Sequence, residues 1–166
     1  MITIISGTNR ENSRTLQVGR HYYHYLLEKQ QQVMLLSLES LKETGRNDYL
    51  LHIEKELLIP ADKFIFIMPE YNGSFPGILK ILLDQTDIRT CWWHKKALLV
   101  GLAEGRGGNL RGIEHMTSIL HYLKMNVYYN KLPLSRISEE INKEGAFLNA
   151  STRRAIEEQL DGFIAY

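Results

Sequence analysis

Short apolar runs recur along this chain, separated by stretches in which apolar positions return every three or four residues. Residues 1–6 (MITIIS) form an apolar, β-branched run broken by Gly7, the pattern of a buried strand. Ser13 or Asn12 then caps a helix predicted to about residue 31, with Leu16, Tyr23, Leu26 and Leu27 at helical spacing. Gly19 weakens that helix by about 1 kcal/mol relative to alanine without ending it. Further strands are predicted over 33–38 (VMLLSL), 63–68 (KFIFIM, stopping at Pro69), 97–102 (ALLVGL) and 126–129. Residues 39–59 are mixed and predict a helical turn or two. Helices are predicted over 77–86, with Pro76 suited to the first turn, and over 109–123. Residues 133–150 are polar and irregular. A last helix, capped by Ser151, repeats Ala155, Ile156, Leu160, Phe163 and Ile164 on one face.

Five strands alternating with helices predict an α/β fold, a parallel sheet covered on both faces in a doubly wound three-layer α/β/α sandwich. Ligands in such folds sit at the carboxyl ends of the strands, where strand order reverses. The loops after strands one, three and four are therefore the places to look for chemistry.

Composition narrows the field. The 166 residues suit a single domain spanning 1–166, with 44% hydrophobic and 23% charged residues, as in ordinary globular proteins. A formal net charge of +1 gives no electrostatic grip on nucleic acid or a membrane surface. The single cysteine, Cys91, forms no intrachain disulfide and reads as an inert buried thiol. The apolar run 1–5 is too short for a signal peptide, and no stretch reaches the roughly 18–20 apolar residues that span a bilayer. A cytoplasmic protein is the expectation.

The first loop crowds Ser6, Thr8, Asn9, Arg10, Asn12, Ser13 and Thr15 around Gly7. A helix N-terminus offers free N–H groups and partial positive charge, and Arg10 adds a planar cation, so a phosphate monoester is the natural occupant. The loop lacks the second glycine and lysine of a P-loop, and the two further glycines of a dinucleotide fingerprint. After the third strand, "PEYNGSFPG" (69–77) combines two prolines and two glycines with Tyr71, Phe75, Asn72 and Ser74. That mixture suits an aromatic, hydrogen-bonding ring, with exposed N–H groups expected along the loop. After the fourth, "EGRGGNLRG" (104–112) carries Gly105, Gly107, Gly108 and Gly112, which allow close backbone approach to a ligand.

Taken in order, Gly7-Thr8-x-Arg10-x-x-Ser13-x-Thr15, then Pro69-Glu70-Tyr71-Asn72-Gly73-Ser74, then the Gly105–Gly108 turn resemble the NADPH-dependent FMN reductase family over residues 1 to about 130. The resemblance implies a flavodoxin-like fold with strand order 2-1-3-4-5. It also implies a reductase that passes electrons from NADPH or NADH through FMN to flavin, quinone, azo or similar acceptors by ping-pong exchange. Thr8, Arg10, Ser13 and Thr15 would hold the FMN phosphate, with Arg14 among the cofactor-binding residues. Pro69, Glu70, Tyr71, Asn72 and Gly73 would contact the isoalloxazine, and Gly105, Gly107 and Gly108 would skirt its pyrimidine end. Thr15 and Ile81 stand where the family often has asparagine. Members of the family commonly form homodimers or homotetramers.

Flavin chemistry needs no protein nucleophile or acid–base pair, so no catalytic side chain and no metal site are expected. His21 and His24, one helical turn apart, lack a third ligand and read as surface or half-buried side chains. His94 is a minor candidate for a substrate pocket; Trp92 and Trp93 read as core or interface aromatics. The rival reading is a flavodoxin-type electron carrier, and both the near-neutral charge and Arg10 favour the enzyme. A phosphorylated receiver domain is excluded by Gly7-Thr8 and Pro69 where it needs acidic residues.

Overall fold

Strands β1 (Ile2–Ser6), β3 (Lys63–Pro69) and β4 (Lys96–Leu102) are buried almost end to end, so their apolar runs meet protein on both faces. With β2 (Val33–Ser37) outside β1 and β5 (Asn126–Val127) outside β4, they form a parallel sheet of order β2-β1-β3-β4-β5. This is the order expected. The computed structural model describes residues 1–41 and 45–166, and the part of the 39–59 segment at 42–44 lies outside the described residues.

Alternation along β3 splits the interior in two. Phe64, Phe66 and Met68 point to one face, where they meet Leu79, Leu82, Trp92, Ile113 and Met116. Ile65 and Ile67 point to the other, against Val18, Tyr22, Leu26, Ile156, Leu160 and Phe163. Helices α3 (Gly77–Gln85), α4 (Ile88–Cys91) and α5 (Leu110–Tyr122) cover the first face; α1 (Arg14–Glu28) and α7 (Ala150–Ala165) cover the second. Trp92 is a core residue: its ring lies 5.0 Å from Phe64, and its Nε1 donates to Thr86 Oγ1 at 2.9 Å. Cys91 is buried, and burial pushes its thiol up to about 11, which keeps it protonated and unreactive.

Several boundaries differ from the pattern-based expectation. Within 39–59, a 3₁₀ turn (Leu38–Ser40) precedes helix α2 (Asp48–Ile53), which widens into a π turn (Glu54–Leu58). The last edge of the sheet is broken: β5 (Asn126–Val127) pairs with the start of β4, and β6 (Leu132–Leu134) pairs with its end. Pro133 sits in β6 without an N–H, which an edge strand tolerates. The polar stretch 133–150 therefore holds an unpredicted strand and a short helix, α6 (Ile137–Glu140). Helix α7 starts two residues early, because Asn149 rather than Ser151 is its cap, accepting from Ser151 N at 3.0 Å. His94 lies beside the start of β4, at the end of the sheet opposite the informative loops, with its N–H on Lys124 O. That position rules it out as a lining residue there.

Candidate functional site

The strands end together. Ser6 stands opposite Ser37 and Ile67, and Pro69 opposite Leu102, so the three loops singled out above leave the sheet along one edge. A cleft of about 850 Å³ opens there.

Its first wall is the start of α1. Ser13 is the N-cap, accepting from Leu16 N at 3.1 Å, which leaves its own hydroxyl proton free. The backbone N–H groups of Arg14 and Thr15 meet no acceptor among the described residues. Arg10, Ser13, Arg14 and Thr15 line this end of the cleft, joined by Asn12 and Gln17. Thr8 is fully buried and does not line the cleft; its Oγ1 accepts from Arg10 N at 3.3 Å and shares a 2.7 Å hydrogen bond with the Tyr71 hydroxyl.

The second wall is the 69–74 turn. Tyr71 N donates to Ser74 O and Ser74 N to Tyr71 O, closing a two-residue hairpin over Asn72 and Gly73. Both central residues have positive φ (51° and 76°), the type I′ geometry that Asn-Gly adopts with least strain. Glu70 N is also taken, by Leu102 O at 2.7 Å, so only Asn72 and Gly73 in this stretch keep free N–H groups. Pro69, Glu70, Tyr71 and Asn72 face the cleft. The Tyr71 ring carries the Arg10 guanidinium 4.1 Å from its centroid, so this residue ties the first loop to the second through both its ring and its hydroxyl.

The third wall departs from the glycine pattern. Ala103 and Glu104 line the cleft, whereas Gly105, Gly107 and Gly108 do not. Gly105 and Gly107 face open space, and Gly108 lies against the backbone of Pro133 in β6. What holds this loop is Asn109, almost wholly buried and in a left-handed conformation (φ 61°). Its Oδ1 accepts from Gly112 N to cap α5, and its Nδ2 donates to Met68 O at 3.0 Å, tethering the fourth loop to the end of β3.

A fourth wall comes from residues with no expected role. Ile137, Ser138, Ile141, Asn142 and Lys143 border the cleft, and their polar, irregular sequence carries no periodic signal that could have found them. Glu104 joins this wall to the first. Its Oε1 accepts from Arg14 at 2.7 Å and its Oε2 from the Ser138 hydroxyl at 2.6 Å. Behind it, Phe147 packs edge-on against His21 of α1, with ring centroids 4.9 Å apart.

Burial of His21 holds its imidazole below its ordinary value of 6.5, against the opposing pull of Glu157 and Glu28; Arg153 and His24 lower it further. The unfolded chain takes up a proton near that ordinary value and the folded chain only at lower pH. Stability is therefore expected to fall as pH drops below about 6.5. His21→Leu should flatten this acid limb in urea unfolding compared at neutral and mildly acidic pH. Parallel limbs for the variant and the parent would contradict it.

As a donor set, the cleft fits FMN. Unpaired N–H groups, hydroxyls and cations line it, as a phosphate requires, beside Pro69 and Tyr71, which offer apolar surface to a ring.

Comparison with known proteins agrees. Residues 1–137 match the family described as NADPH-dependent FMN reductase. Over 117 residues the chain is 26% identical to a 2-hydroxy-1,4-benzoquinone reductase from a Burkholderia species, covering 68% of this chain and 63% of that protein. Over 109 residues it is 28% identical to an NAD(P)H-dependent FMN reductase from Pseudomonas aeruginosa, covering 64% of this chain and 59% of the relative. The match thus spans under two thirds of either relative's length. Among solved structures, the flavoenzyme NAD(P)H:(acceptor) oxidoreductase FerB from Paracoccus denitrificans superposes with a TM-score of 0.73 at 20% identity, over 99% of this chain and 95% of FerB. The apo form of an NADH:FMN oxidoreductase gives a TM-score of 0.70 at 18% identity, over 98% of this chain and 87% of that one. At such identities the structural likeness establishes the flavodoxin-like fold.

Proposed function

Because the chain belongs to the NADPH-dependent FMN reductase family, we propose that its cleft binds FMN and that the protein uses NADPH or NADH to reduce a small-molecule acceptor of the flavin, quinone or azo class. One observation carries this reading: the free N–H groups of α1 and the Tyr71 platform face a single cleft, joined by the Thr8–Tyr71 hydrogen bond. When bound, FMN supplies the hydride-accepting ring; the protein supplies position and electrostatics.

Arg10, Ser13 and Thr15, with the N–H groups of Arg14 and Thr15, would hold the phosphate. Thr8 acts from behind, fixing Tyr71. Pro69, Glu70, Tyr71 and Asn72 would form the ring's bed, with the Asn72 N–H as an unpaired donor, and Gly73, which does not line the cleft, would serve by closing the turn. Gly105, Gly107 and Gly108 stay in this reading as a neighbouring loop whose reach to the ring comes through Ala103 and Glu104. Residues 1–166 would act as one FMN-binding domain.

A homodimer or homotetramer is also proposed. Exposed Ile88 and Tyr122 border a second hollow of about 620 Å³ between the end of α3 and α5, on a surface suited to a second copy. Among the described residues no helix is long and apolar enough to cross a membrane, and a lone, buried thiol fits a reducing, cytoplasmic setting.

The test is spectroscopic. Purified protein titrated with FMN should bind it stoichiometrically, and adding NADPH or NADH without any partner protein should bleach the bound flavin rapidly. Tight FMN binding with no bleaching by either nucleotide would point to an electron carrier instead. Failure to take up FMN would end the proposal.

A further inference from the structure

Three cations among the described residues line the cleft, and they are not equally free. Arg14 is committed: its guanidinium pairs with Glu104 at 2.7 Å, and the same carboxylate accepts from Ser138. Arg10 lies on the Tyr71 ring. Lys143 lines the cleft with no carboxylate at ion-pair distance among the described residues.

Its backbone is well fixed. Residues 142–145 form a tight turn closed by Gly145 N on Asn142 O at 3.1 Å, and Asn142 Oδ1 accepts from Glu144 N and Ala146 N. Gly145 lies against Gln17 of α1, and Ile141 and Phe147 bridge the base of the turn. The turn is thus seated beside the amino end of α1, so an exposed ammonium on it is carried by a rigid element rather than a loose loop. It also lies beyond residues 1–137, the part matching the family, so no role comes to it from there.

From this we propose that Lys143 is the second cation met by a phosphate group in the cleft, filling the role that Arg14 yields to Glu104. The inference rests on the FMN reading of the cleft and goes beyond it by assigning a residue outside the family match. An ammonium is a compact point charge with three donors, suited to a phosphate oxygen. The phosphate is that of FMN or one on the nicotinamide nucleotide, and the experiment separates the two.

Wild type, Lys143→Met, Lys143→Arg and Arg14→Met are titrated with FMN and with riboflavin, which lacks the phosphate, at low and high salt. Apparent KM is then measured for NADPH and NADH. If the flavin phosphate is the partner, Lys143→Met should weaken FMN about tenfold at low salt and less at high salt. Riboflavin binding should stay unchanged, Lys143→Arg should retain FMN, and Arg14→Met should lose less than Lys143→Met. If the nucleotide is the partner, FMN affinity should hold while the KM of a nicotinamide nucleotide rises about tenfold in Lys143→Met. The inference is overturned if neither quantity moves, if FMN and riboflavin weaken equally, or if Arg14→Met takes the larger loss. Wild type that binds no FMN would overturn the underlying reading as well, which sets that failure apart from the others.

Discussion

Gly101→Ala is expected to destabilise the protein by about 3 kcal/mol, a fall in Tm of roughly 6–12 °C for a chain of this size. Gly101 is the penultimate residue of β4, opposite Met68. A methyl group there would collide with the carbonyl oxygen of Gly108, and would stand 2.9 Å from Ile113 Cδ1 and 3.1 Å from Asn109 Cβ. Two of these three neighbours belong to the loop that Asn109 pins to Met68, so backbone has to move. The loop supplies Ala103 and Glu104 to the cleft, and FMN affinity should fall with stability. Gly105→Ala is the control, since a methyl group there meets nothing within 4 Å. Thermal unfolding of the two variants beside wild type checks the claim. A Gly101→Ala protein that melts with its parent would show that the fourth loop does not rest directly on the sheet.

Replacing Ser13 should separate helix capping from ligand binding. Its Oγ accepts from Leu16 N, so Ser13→Ala removes a cap, typically worth about 1 kcal/mol, whereas Ser13→Gly costs only a few tenths. Both variants lose the hydroxyl proton that faces the cleft. A hydrogen bond to a charged group is worth about 1.5–3 kcal/mol, so both should weaken FMN roughly 10- to 100-fold. Fluorescence titration with FMN alongside urea unfolding reads the two effects apart. If Ser13→Gly binds FMN as wild type does, the phosphate does not rest on this residue.

Much of the architecture was legible before any coordinates. Apart from Lys63, the runs at 63–68 and 97–102 carry no polar side chain on successive residues, the pattern of a strand covered on both faces. The α1 cap, open in the sequence between Ser13 and Asn12, is a local signal set by hydrogen bonds within three residues, and it falls on Ser13. The broken edge at β5 and β6 was not legible, because a two- or three-residue strand has too few positions to show a period. The Ser151 cap was misplaced by two residues for a similar reason, since Asn149 and Ser151 are both good caps and local sequence does not choose between them.

The candidate site divides the same way. By itself, the sequence determined the buried strands of the sheet, most of the helices between them, and the gathering of polar and aromatic residues in the loops after β1 and β3, since these follow from short-range hydrogen bonding and from which residues avoid water. Tertiary structure alone decided that Arg14 answers to Glu104, ninety residues away, that Tyr71 clasps Thr8, and that the unpatterned stretch around Lys143 closes the cleft. Such pairings depend on where distant strands end against one another, and no local rule of residue type encodes that distance.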